Sequence, residues 1–175
     1  MNFKAMNLFL SEENIKRHLE HLRTLRLKYS VLEKSVPEIK GKSIKDITMS
    51  SLNRKIKDEA MSLLWQIKTH EVFFNSFSES PIWPDSMKKQ FSSREKFLYD
   101  LMIKATDGEY GYLYIFSDKQ KRIRSLFTNR FDGAFLQYQP LLCIDLYEHS
   151  YFCDYGFAKD KYIKGALAYL DTGKL

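Results

Sequence analysis

Residues 141–155 read Leu141-Leu142-Cys143-Ile144-Asp145-Leu146-Tyr147-Glu148-His149-Ser150-Tyr151-Phe152-Cys153-Asp154-Tyr155. An apolar run of strand length ends in a carboxylate, and an imidazole follows four residues later. Burying a lone carboxylate at the end of such a strand is costly. Asp145 therefore needs a cation, several hydrogen bonds, or exposure. The other histidines of the chain, at 18, 21 and 70, lie far upstream, so any imidazole that joins His149 must be delivered by the fold.

Working outward, Ser11-Glu12-Glu13 offers a cap and an acidic first turn. Ile15, His18, Leu19, Leu22, Arg26 and Tyr29 then recur at three- and four-residue steps, which predicts one long amphipathic helix closed by Pro37 and Gly41. Residues 40–51 read as a polar connector. A second long helix is predicted over 52–77, with Ile56, Ala60, Leu63, Ile67, His70, Phe74 and Phe77 on its inner face. Two antiparallel helices are the simplest arrangement. Ser80-Pro81-Ile82-Trp83-Pro84-Asp85 breaks the pattern and marks a boundary, giving residues 1–80 as a helical hairpin and 81–175 as a mixed remainder. There, Ser92-x-x-Glu95 has capping-box spacing for a helix to about 105, ended by Asp107-Gly108. Residues 110–116, 123–128 and 141–145 read as short strands, separated by 117–120 and 129–140, and a last helix covers 159–170. The fold class is α+β: a long antiparallel helical hairpin, then an α/β domain with a small three-stranded antiparallel sheet.

The chain has 175 residues, enough for one domain or two small ones. Its 13 Phe, 11 Tyr and 2 Trp predict a ring-rich core. No apolar run approaches the roughly 18 residues of a membrane helix, and residues 1–10 lack the pattern of a secretory signal. The expected location is the cytoplasm, with Cys143 and Cys153 as reduced thiols. Neither belongs to a Cys-x-x-Cys pair, which argues against a thiolate metal site. The net charge of +6 favours an anionic partner, but it is spread out. Its densest cluster, Lys119, Lys121, Arg122 and Arg124, reads as the solvated face of an edge strand, where basic residues guard against aggregation.

Any one of these histidines would be unremarkable on an apolar helix face, where a satisfied core residue is the ordinary outcome. His21 falls off the inner face and is expected in solvent. Asp145 and His149 change the weighing. Three imidazoles and one carboxylate from separate segments make a nitrogen–oxygen coordination shell possible, with one position left for water or substrate, a donor set that suits iron, manganese or zinc.

The segment from Asp145 to Tyr155 resembles the D-x-W-E-H-A-Y-Y-x-D-Y signature of iron/manganese superoxide dismutases. Leu10 to His18 resembles the family's first-helix segment, Gln66-x-x-x-His70-x-x-Phe73-Phe74-Asn75 its second, and Gly111-Tyr112-Leu113-Tyr114 its G-W-x-W strand. The resemblance runs from Leu10 to Leu170. It implies one iron or manganese ion per chain, held between two domains by His18 and His70 from the first and Asp145 and His149 from the second. It implies dismutation of superoxide to dioxygen and hydrogen peroxide, and a homodimer through the Glu148–His149 region. Gln66, one turn before His70, would hydrogen-bond the solvent at the metal, a placement typical of the iron-using branch.

Several family residues are replaced. Gln66, Arg26 and Tyr151 are the candidate catalytic residues beside these ligands, although Leu22 stands where a histidine is usual, removing the partner of Tyr151 across a family-type dimer interface. Arg26 stands where the gateway tyrosine is usual; its guanidinium cannot relay a proton, but either attracts superoxide or forms a salt bridge across the helix surface. Phe74, Tyr112 and Tyr147 replace three tryptophans, and the chain is expected to lack the proline-rich leader of typical members. Two further readings stand beside the dismutase. One is a catalytically impaired interaction protein of the same fold, associated with nucleic acid or the ribosome. The other is a metallohydrolase, which has only the ligand types in its favour.

Overall fold

The computed structural model describes residues 2–129 and 139–175. A short helix α1 (Phe3–Met6) leads into α2 (Glu12–Ser35), which starts where the sequence placed it: the Ser11 hydroxyl accepts a hydrogen bond from the Asn14 amide at 3.1 Å. The Ser11 amide itself donates to Asp154 at 2.7 Å, tying the start of α2 to the segment that follows His149. At the other end Pro37 cannot continue the helix, and residues 37–39 form a 3₁₀ turn.

The polar connector expected over 40–51 contains a helix, α3 (Ile44–Met49). Ser43 and Asp46 close a reciprocal capping box at its start, and Ile44 and Ile47 are buried. Six residues with two apolar contacts are too short for a periodic signal. The next helix, α4 (Arg54–Phe73), packs against α2. Phe74 and Phe77, read as part of this helix, are fully buried just beyond its end.

After a short helix α5 (Asp85–Lys88) comes α6 (Arg94–Asp107), whose cap is Ser93 rather than Ser92: the Ser93 hydroxyl accepts from the Lys96 amide at 3.2 Å. Three strands follow, β1 (Tyr112–Ser117), β2 (Ile123–Thr128) and β3 (Pro140–Asp145). They form an antiparallel sheet in the order β2-β1-β3, in which Tyr112 pairs with Thr128 on one side and Asp145 on the other. Gly111, just before β1, has φ +152°, and a Cβ there would lie 2.5 Å from the Thr128 carbonyl oxygen. Of the expected connector over 129–140, residues 130–138 lie outside the described residues. A 3₁₀ turn (Glu148–Ser150), helix α7 (Phe152–Tyr155) and helix α8 (Lys159–Ala168) complete the α+β fold.

The core is rich in rings, as the composition implied. Phe73 lies 5.4 Å from Phe74 and 5.2 Å from Phe77, and Phe9 lies 4.9 Å from Phe77 between ring centroids. Burying each such ring stabilises the fold by about 1.5–3 kcal/mol. One polar link crosses this core: the Ser76 hydroxyl donates to the Val72 carbonyl and accepts from the Cys143 amide, both at 2.8 Å. It joins the end of the α4 segment to the strand that carries Asp145. Arg122 and Arg124 lie on or beside the edge strand β2 and both pair with Asp118, at 2.9 and 3.2 Å. Among the described residues no helix is long and apolar enough to cross a membrane.

Candidate metal centre

Each element delivers one side chain to a common point. His18 lies in the second turn of α2 and His70 in the last turn of α4, with ring centroids 5.0 Å apart because the two helices pack together. Asp145 ends β3, and the 3₁₀ turn after it returns His149 towards the same carboxylate. Asp145 Oδ2 is 3.1 Å from His149 Nε2, 3.3 Å from His18 Nε2 and 3.6 Å from His70 Nε2. His70 Nε2 and His149 Nε2 are 3.4 Å apart, and the donor atoms of all four residues lie within 4.8 Å of one another.

These separations carry chemical meaning. An ion bound at about 2.0–2.2 Å by nitrogen and oxygen donors in a tetrahedral or trigonal arrangement spaces neighbouring donors about 3–3.7 Å apart. The donors are also pre-aimed. His70 Nδ1 lies 2.7 Å from the Gln66 carbonyl oxygen, which can only accept, so Nδ1 carries the proton and Nε2 presents its lone pair to the cluster. Both ring nitrogens of His18 are buried without a hydrogen-bond partner. Orphaned buried polar atoms are rare, and an ion at Nε2 satisfies one of them. Asp145 is fixed from behind: Oδ1 accepts from the Tyr147 amide at 3.0 Å, and its backbone carbonyl accepts from the Ser150 and Tyr162 hydroxyls at 2.8 and 2.7 Å. The residues present therefore fit a metal ion.

The electrostatics agree. Burial by itself pushes the Asp145 carboxyl up, but His149 and His18 beside it hold it well below the usual carboxylate range, so it stays ionised. Burial pushes His18 down and takes His70 to about 4, leaving both imidazoles neutral. His149 goes the other way: burial lowers it, but the charge and hydrogen bond of Asp145 outweigh that and raise it.

Rings wall the cluster. Phe73 and Phe74 lie 4.7 and 5.0 Å from the His18 ring, and Tyr147 stacks on His149 at 5.8 Å and 13°. A cavity of about 300 Å³, lined by His21, Trp65, Gln66, Tyr112, Tyr147 and His149, opens on this side. A larger groove of about 770 Å³ between α2 and α4 is lined by Leu27, Val31, Leu32 and Leu63 with Lys28 and Glu59; it offers no donor cluster and is not the chemical site.

Two sequence expectations are corrected here. Arg26 was expected on the inner face of α2, but it is exposed and its guanidinium pairs with Glu71 at 2.8 Å, the surface salt bridge that was the alternative. His21 was expected in solvent, but it is half-buried beside the cluster, its ring 4.5 Å from His149 and 5.2 Å from His70, and burial takes it down to about 4. The overlooked signal was its spacing: three residues after His18, on the adjacent strip of the helix. Gln66 lines the cavity, but its side-chain amide donates to the Ser62 carbonyl and hydroxyl at 3.3 and 3.2 Å. Tyr151 is buried and stacks on Tyr162 at 4.9 Å, behind the site rather than on the cavity wall. Leu22 is buried and Glu148 is exposed.

Residues 81–173 match the family model described as iron/manganese superoxide dismutases, C-terminal domain. The match spans more than half of the chain, and the chain belongs to that family. No match is found among curated proteins.

Proposed function

We propose that this chain is a superoxide dismutase in which His18, His70, Asp145 and His149 hold one iron or manganese ion. The convergence of these donors, at 3.1–3.6 Å around one carboxylate oxygen, is the observation that carries the reading. When bound, the ion supplies a one-electron couple, and two superoxide ions with two protons give one dioxygen and one hydrogen peroxide. Asp145 supplies the negative charge that holds the cation. The Gln66 carbonyl orients His70. Trp65, Tyr112 and Tyr147 restrict the cavity to small molecules, and Gln66, whose amide nitrogen is held by Ser62, lines it beside them. Tyr151 acts as a positioning residue: its ring supports Tyr162, whose hydroxyl holds the Asp145 carbonyl.

On this reading residues 1–80 and 81–175 form two domains that meet at the ion, two chains pair through the Glu148–His149 region, and the protein works in the cytoplasm. Arg26 lies outside the cavity and pairs with Glu71 on the surface. A second reading, an interaction protein of this fold with impaired catalysis, is favoured by one observation: the usual gateway position is spent on a surface ion pair.

Metal analysis of the purified protein alongside a superoxide-removal assay tests both. The expected result is about one redox metal per chain, lost together with activity in His149→Ala. Metal without activity, or a salt-sensitive RNA complex formed by metal-free protein, favours the second reading.

A further inference from the structure

We propose that the Tyr112 hydroxyl and a ring N–H of His21 together hold a small anion in the cavity of about 300 Å³ beside the cluster. This deepens the metal-site reading above and rests on it. An anion that leaves water for a space walled by rings loses its hydration, and it stays only where hydrogen-bond donors replace that water. The cavity wall offers few. The Gln66 amide nitrogen is committed to the Ser62 carbonyl and hydroxyl. The Tyr147 hydroxyl donates to the Asn129 carbonyl at 2.9 Å, and the Trp65 indole N–H to the Tyr114 hydroxyl. His149 belongs to the donor set of the ion.

Tyr112 and His21 remain. Among the described residues neither side chain makes a hydrogen bond, and neither has a polar atom sealed in the protein, so their donors are left for what enters the cavity they line. Their rings stand against the same proposed ligand, with centroids 6.2 and 5.2 Å from His70. Burial pushes the Tyr112 hydroxyl up, so it keeps its proton, and a neutral imidazole still carries one N–H. One donor comes from β1 and the other from α2, so the occupant is gripped by both halves of the chain beside the ion.

Azide titrated into cobalt(II)-loaded protein tests this, with visible absorption as the readout, in wild type, Tyr112→Phe, His21→Leu and His21→Gln; metal content and circular dichroism are measured on each. Tyr112→Phe removes one hydroxyl and keeps the ring, and His21→Gln keeps an N–H donor that His21→Leu lacks. Tyr112→Phe and His21→Leu are each expected to weaken azide about two- to tenfold, the worth of one hydrogen bond, at unchanged metal content. His21→Gln should recover most of the loss. Azide affinity equal to wild type in either Tyr112→Phe or His21→Leu would overturn the pair and leave the four-donor centre standing. Equal weakening in His21→Gln and His21→Leu would overturn the role of the His21 N–H. If wild type takes up no cobalt, the centre itself is wrong and this inference falls with it.

Discussion

Acid is expected to weaken the metal-free protein through its buried neutral histidines. His70 is held at about 4 by burial, against an ordinary value of 6.5. Between those values the unfolded chain binds a proton that the folded chain refuses, so stability is present above pH 6.5 and is lost as pH falls. For His70 alone the loss relative to pH 8 is about 2 kcal/mol at pH 5 and about 3 kcal/mol at pH 4. His18 acts in the same direction, and so does His21, though its half-exposed ring contributes less. His149 opposes them, because its raised value adds stability at low pH that is lost as pH rises. Asp145, held far below this window, stays ionised throughout. For a chain of this size about 2 kcal/mol corresponds to a melting point lower by roughly 4–8 °C. The assay is thermal and urea unfolding of chelator-treated protein from pH 8 to pH 4, with His70→Gln in parallel, where the slope should flatten by about one proton. A metal-free protein that melts at the same or a higher temperature at pH 5 than at pH 8 would refute the reasoning.

Metal affinity should fall about tenfold per pH unit once the pH drops below the raised value of His149, and more steeply below about pH 4 as His70 joins it; competition with a chelator across pH measures this. Ser76→Ala strands the Cys143 amide in the core and should cost about 1–3 kcal/mol in urea unfolding, lowering metal retention with it. Arg26→Ala breaks only an exposed ion pair and should change stability by less than about 1 kcal/mol, with metal content unaltered.

The long helices were legible because each buries a repeating face over many residues, and the three strands because their apolar and aromatic runs are bounded by turn residues. Helix α3 was not, since its two buried residues make no repeat and only the Ser43–Asp46 pair announces it. That His18, His70, Asp145 and His149 come together was legible from residue type and, through the family resemblance, from position. Arg26 was misplaced because steps of four overshoot the helical period: two of them turn about 80° away from His18, enough to leave the buried stripe. His21 was misplaced for the complementary reason. The inner stripe of α2 was drawn from apolar residues alone, whereas the strip beside it is covered by His70 and His149, polar rings that no hydrophobic pattern reveals.

The meeting of residue 18 with residues 145 and 149 also sets an order of events during synthesis. At about 5–20 residues per second, the stretch from 70 to 149 takes about 4–16 s to emerge. For that interval the helix pair exists, if at all, with two imidazoles and no carboxylate to neutralise a cation. On the metal reading, an ion meets all four donors only after residues 145–149 have folded against α2 and α4. On that reading, which ion fills the cluster thus becomes a question of supply once residue 149 has emerged as well as of fit.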